Sequence, residues 1–252
     1  MSVAGALAAE RIKLATTRSP LWSVAAVAVL SLGVAVIQAS TAYPGNPLLP
    51  QKVALGAAVF GVPVLMVLAS MTVTGEYRSG EIRTTFLATP NRTLVLVAKA
   101  VVAAAFAGAC AAVMVVATIL LARWVAAPNV GSRLSLAQAA SWRPVGAFAL
   151  YAALAAVLAV GVGALLRAAA GAVAVLLLWP LVVETVLGSL PDLGPRVGPF
   201  LPFANALAFA DVRWLYPGYD MRWGPAGALV YFAAVCVAVF IVAVVVVNRR
   251  DA

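Results

Sequence analysis

Six long apolar stretches dominate the chain: Pro20 to Ile37, Val53 to Val73, Leu94 to Leu121, Val145 to Leu166, Ala168 to Leu187 and Ala226 to Val247, interrupted by charge only at Lys99 and Glu184. A hydrocarbon layer about 30 Å thick is crossed by a helix of roughly 20 apolar residues. The stretches are continuous rather than alternating in polarity, so they do not read as barrel strands, and only helices then satisfy the backbone within each segment. Composition agrees: 65% of the residues are hydrophobic and 10% charged, with a mean hydropathy of +1.07, far from the roughly 45 to 50% apolar usage of soluble domains. The expected fold class is therefore all-α integral membrane, with six transmembrane helices in one domain spanning 1–252.

The formal charge of +9 does not point to nucleic acid, because the basic residues lie between apolar stretches, where anionic headgroups and the orientation rule account for them. With both termini cytoplasmic, the inner segments hold ten basic residues, from Arg11 to Arg250. The longer outer loops hold seven, including Arg133 and Arg213. Trp124, Trp142, Trp214 and Trp223 flank the spans on the outer side as an interfacial belt. Basic residues, an apolar run and Gln38-Ala39-Ser40 imitate a secretory signal, but the run is longer than an ordinary signal core and is expected to stay as the first span. The chain has no histidine, which removes His-dependent metal sites and Ser-His-Asp or Cys-His catalysis. Cys110 and Cys236 fall within apolar runs and read as small hydrophobes.

Ser19-Pro20, Thr89-Pro90 and Gly224-Pro225 fit an N-cap followed by proline at the first helical position. A third helix capped by Thr89 would carry Lys99 near its inner end, with the long stem snorkelling to the headgroups. Residues 1–19 suggest an interfacial helix on Val3, Leu7 and Leu14, a stripe that Glu10 interrupts. A frayed, solvated N-terminus is the competing reading.

Residues 75–92 form the most charged loop between two spans: Gly75-Glu76-Tyr77-Arg78-Ser79-Gly80-Glu81-Ile82-Arg83-Thr84-Thr85-Phe86-Leu87-Ala88-Thr89-Pro90-Asn91-Arg92. A minimal connection needs only a few residues. The order acid, aromatic, base, Gly, Ile-Arg-Thr-Thr, Thr-Pro, base and then Lys99 resembles the actinobacterial branch of the ABC-2 type transporter permeases. Glu10, Lys13, Leu14, Arg18, Ser19 and Trp22 resemble that family's opening, and the six-span layout matches over nearly the whole chain. Glu81 departs from the expected threonine. The resemblance implies an ABC-2 type exporter fold in a bacterial plasma membrane, with a coupling helix built on Glu76, Tyr77, Arg78, Gly80, Glu81, Arg83, Phe86 and Leu87. It also implies two copies of a separate ATPase subunit, which would carry ATP and Mg, and a second permease subunit, identical or related. A solvated, positive-inside anchor loop is the plainer reading of the same residues. No Gly-x-x-x-x-Gly-Lys-Ser/Thr motif occurs, so the chain is read as a permease and not an enzyme, with no cofactor of its own.

Gly61 and Pro63 interrupt the second span and Pro180 the fifth, each proline leaving the carbonyl four residues earlier, on Val59 and Leu176, without its helical donor. Paired interruptions in two halves point to a transport path, although ordinary kinked packing gives the same pattern. Glu184, 16 residues beyond Ala168, lies roughly 24 Å across the layer at about 1.5 Å per residue. An acid there suggests a gate or path, or an interfacial group reaching water. The candidate path or gate residues are Pro63, Met66, Pro180, Glu184, Phe200 and Phe203. The proline-rich and apolar stretch 188–224, which includes Pro217, is expected by the same resemblance to form a re-entrant outer hairpin between helices five and six. The expected function is export of a hydrophobic or amphipathic compound, a drug-like molecule or lipid. The alternatives are a proton-coupled transporter using Glu184 and a non-transporting membrane scaffold.

Overall fold

The computed structural model describes residues 2–43, 48–131, 134–212 and 220–250. Arg133, Arg213, Trp214 and Pro217, used in the topology reading and in the stretch 188–224, lie outside the described residues. Among those described, there are six helices long and apolar enough to cross a membrane: Ser19–Ser40, Ala57–Ser79, Arg92–Val125, Ala139–Leu166, Ala169–Ser189 and Pro225–Arg249. No β-strand accompanies them. The chain is a multi-pass membrane protein.

The second and fourth spans form the interior of the bundle, and the other four turn most of their residues outward. The fourth span packs against the second, third and sixth, and the first against the third. Its inward face is built from Ala152, Ala155, Ala156 and Ala159, all at most 1% exposed. Lipid tails are as apolar as leucine, so helices associate through close backbone approach, and small residues permit it. Within the fourth span Gly163 is the tightest case: a Cβ there would stand 2.9 Å from the Ser70 carbonyl oxygen of the second span.

Both proline-interrupted spans contain one widened turn. Ala57–Gly61 and Trp179–Val183 are π-helical, closed by Val62 N–H donating to Ala57 O and Glu184 N–H to Trp179 O. A proline has no N–H to give the preceding turn, and a slip of the ladder by one residue absorbs the mismatch. The sequence marked the positions, and the structure shows a change of helical register there.

Helix starts differ from the cap pattern at two of three places. Gly224 precedes Pro225 at the start of the sixth span, as read. Ser19 lies within its helix, and the preceding cap position, Arg18, makes no side-chain capping bond. The third span starts at Arg92, with Asn91 Oδ1 accepting from Leu94 N–H at 2.9 Å. Thr89 instead closes the preceding short helix at φ −136°, ψ 90°. Extended backbone is what a following proline imposes, so Pro90 separates two helices instead of opening one.

Candidate functional site

The second span runs to Ser79 and stops at Gly80, whose φ of 78° is left-handed, a conformation that glycine adopts without the usual side-chain penalty. The chain reverses there into a short helix, Glu81–Ala88, before the third span begins. An N-terminal helix, Val3–Thr16, caps the same end of the bundle and packs on the third span.

A buried ion cluster joins these elements. Lys99 Nζ, on the third span, donates to Glu76 Oε1 at 2.7 Å, Glu10 Oε2 at 2.9 Å and the Thr72 carbonyl at 3.1 Å. An ammonium has three donors, and all are used. Lys13 Nζ donates to Glu76 Oε1 at 2.7 Å and, at 3.4 Å each, to Glu10 Oε1 and Thr85 Oγ1 of the short helix. Lys99, Glu76 and Glu10 are 2%, 6% and 8% exposed. Burial lowers the Lys13 pKa, but the bond to Glu76 and the two nearby carboxylates outweigh it, so its net shift is above the ordinary 10.5.

This arrangement corrects two expectations. Lys99 does not snorkel; it is buried and paired, because two carboxylates from different helices meet it. Glu10 does not spoil the N-terminal helix, because that helix faces a charged seat rather than a purely apolar one.

The loop residues divide into an anchored set and a presented set. Glu76 is in the cluster, and Ile82 is buried. Tyr77 lies beneath the Arg167 guanidinium, 4.9 Å from its ring centre, and Phe86 lies beneath Arg92 at 5.2 Å. Arg92 Nη1 also donates to the carbonyls of Val247 and Arg250 at 3.0 and 2.6 Å, while Asn248 Nδ2 donates to Thr93 Oγ1 at 2.8 Å. Arg78, Glu81 and Arg83 are exposed, as is Leu87 at 81%. Gly80 makes the turn between the two sets.

At the opposite end, Glu184 follows the widened turn of the fifth span and is fully buried. Its Oε1 accepts from Phe203 N–H at 3.1 Å and Trp179 Nε1 at 3.0 Å, and its Oε2 from Ala204 N–H at 3.0 Å. The two backbone groups belong to the first turn of the short helix Pro202–Phe209, whose leading N–H groups lack intrahelical partners. Glu184 therefore serves as a cap supplied from another helix. Asn205 Nδ2 donates to the Pro199 and Leu201 carbonyls, and its Oδ1 accepts from Trp223 Nε1 at 2.7 Å.

The six candidate path residues do not share one surface. Pro63, Met66, Pro180, Glu184 and Phe203 are buried, and Phe200 is exposed. Phe203 packs edge-on against Tyr151 and Phe232, with ring centres 6.5 and 5.5 Å away, while Phe200 meets Trp223 at 6.0 Å and lies beneath Arg222 at 4.9 Å. Sequence reading passed over Asn205 and took Lys99 for a snorkelling group rather than the centre of a buried cluster. Lys99 was visible as a cation within an apolar run. Nothing local marked Asn205. No protein-family model matches the chain, and no match is found among curated proteins.

Proposed function

We propose that the chain is the membrane-spanning permease subunit of an ABC-2 type exporter, powered by two copies of a separate ATPase and paired with an identical or related permease. In this reading both termini and the loop 75–92 face the cytoplasm of a bacterial cell, and the protein spans the plasma membrane. The region between the fifth and sixth spans is a re-entrant outer hairpin, and the cargo is a hydrophobic or amphipathic compound.

One observation carries the reading. The short helix Glu81–Ala88 presents Arg83 and Leu87 outward, while the turn before it is fastened through Glu76, Lys99, Glu10 and Lys13 to two further helices. A solvated orientation loop needs no such base. A firmly mounted helix with an outward charge and an outward leucine suits a contact that passes rigid-body motion from a docked subunit into the spans. The proton-coupled alternative gains nothing from Glu184, because both of its oxygens are engaged in holding the helix Pro202–Phe209.

The test is purification of the tagged chain from its native membrane in mild detergent. A separate ATP-hydrolysing polypeptide should accompany it, and Arg83→Glu combined with Leu87→Asp should lose that partner while remaining inserted and folded. Desolvated interface charges can cost about 2 to 5 kcal/mol when mismatched. ATP turnover by the chain alone, or cargo movement driven by a proton gradient without an ATPase, would sink the proposal.

A further inference from the structure

A cavity of about 540 Å³ opens beside the ion cluster, between the N-terminal helix and the first, second and third spans. That size falls within the roughly 300 to 1,000 Å³ of small-molecule sites. Its walls are of two kinds. Leu68 and Met71 of the second span and Val102 of the third form an apolar side, and Met71 is 40% exposed. The other side is polar and includes Ser19, Arg78 and Glu81.

The charges around it select a ligand. Within the cluster, Glu10 and Glu76 are matched by Lys13 and Lys99. At the rim, Arg78 and Glu81 are exposed, and neither side chain forms an ion pair or side-chain hydrogen bond among the described residues, with each other or with anything else. An anionic headgroup would meet Arg78 but be opposed by Glu81, and a cationic amphiphile the reverse. A zwitterion satisfies both, which is electrostatic complementarity acting as selectivity. An apolar wall continuous with two spans and a charged rim at the end of the bundle match the junction of acyl chain and headgroup.

We infer that this cavity holds a zwitterionic phospholipid, its phosphate toward Arg78, its ammonium toward Glu81 and one chain along Leu68, Met71 and Val102. The inference stands apart from the exporter reading, because it concerns binding by the isolated chain. It does reassign Arg78 and Glu81 from the docking set to a lipid rim, leaving Arg83 and Leu87 as the docking face.

Native mass spectrometry of the purified, detergent-solubilised chain, with phosphatidylethanolamine and phosphatidylglycerol added in equal amounts, tests the assignment. One phosphatidylethanolamine should be retained in preference to phosphatidylglycerol, while water-soluble glycerophosphoethanolamine should not be retained. Met71→Trp, which fills the apolar side, should abolish retention. Arg78→Gln should weaken it about tenfold, equivalent to about 1.4 kcal/mol. Glu81→Gln should turn the preference toward phosphatidylglycerol. Both rim residues are exposed, so these variants keep the fold, and an unchanged thermal midpoint verifies it. Equal retention of the two lipids, preference of the unaltered chain for the anionic one, retention of neither, binding of the soluble headgroup alone, or indifference to Met71→Trp or to the rim changes would overturn the inference.

Discussion

At the end of the bundle that carries the N-terminal helix, Glu10 and Glu76 are buried against the ammonium groups of Lys13 and Lys99. At the other end, Glu184 is buried against two backbone N–H groups and an indole. The first solution opposes charge with charge and draws on three helices. The second uses the unsatisfied donors of a helix start, which favour a negative partner. The difference is one of reach. The ion pairs fasten three separate helices to one another, whereas the carboxylate inserted at the head of a short helix seats that one helix on the fifth span.

The largest expected effect lies in the charged cluster. Lys99→Met leaves two buried carboxylates to share Lys13, and breaking a buried pair costs about 3 to 5 kcal/mol. The detergent unfolding midpoint should fall sharply, and trypsin should cut at Arg11 more readily. Adding Glu10→Gln should restore part of the loss; a double variant no better than the single one would break the account of the cluster as a charge balance. At the other end, Glu184→Gln replaces one acceptor oxygen with a donor facing N–H groups, an unmet buried bond of about 1 to 3 kcal/mol. Hydrogen exchange should rise at Phe203 and Ala204 while the third span stays protected. Unchanged exchange there would end the capping assignment. Trp179→Phe removes only one of the three bonds described to that carboxylate and should cost about 0.5 to 1.5 kcal/mol, read as a small fall in midpoint with the helix still seated.

The smallest effect concerns Lys13, whose side chain is 44% exposed and therefore screened, so its removal should cost less than about 1 kcal/mol. Its folded pKa is raised. The stability it contributes is thus fully present below 10.5 and fades as pH rises through the higher folded value. Melting midpoints of the native chain should decline above pH 10.5 more steeply than those of Lys13→Met; parallel curves would remove Lys13 from the balance.

The six spans were legible because a run of some 20 apolar residues has few other uses, and their ends moved by at most six residues, at the end of the second span and the start of the fourth. The cluster was not legible, because Lys99 meets a carboxylate 89 positions away and a helix-face reading scores Glu10 as a defect without knowing what it faces. Thr89-Pro90 misled because the same dipeptide both caps helices and separates them, and Asn91 stood one residue further on to take the cap. Glu184 was visible as an acid within an apolar run, but the backbone groups that it caps lie 19 and 20 residues later, beyond a turn that the local pattern did not specify. The loop 75–92 read as one charged segment, and only packing could divide it into anchored and outward residues.

Arg92 bears on the order in which the molecule can be completed. Its guanidinium bonds to carbonyls 155 and 158 positions further along the chain, at the end of the sixth span. When the third span enters the membrane those acceptors do not yet exist, and Phe86 beneath the same guanidinium has only half its clamp. A nascent chain with five spans inserted therefore still has an unfastened seam at this end, and arrival of the sixth fastens the short helix Glu81–Ala88 along with the bundle. On the exporter reading proposed above, the docking face on this helix is therefore set only once the sixth span is in place.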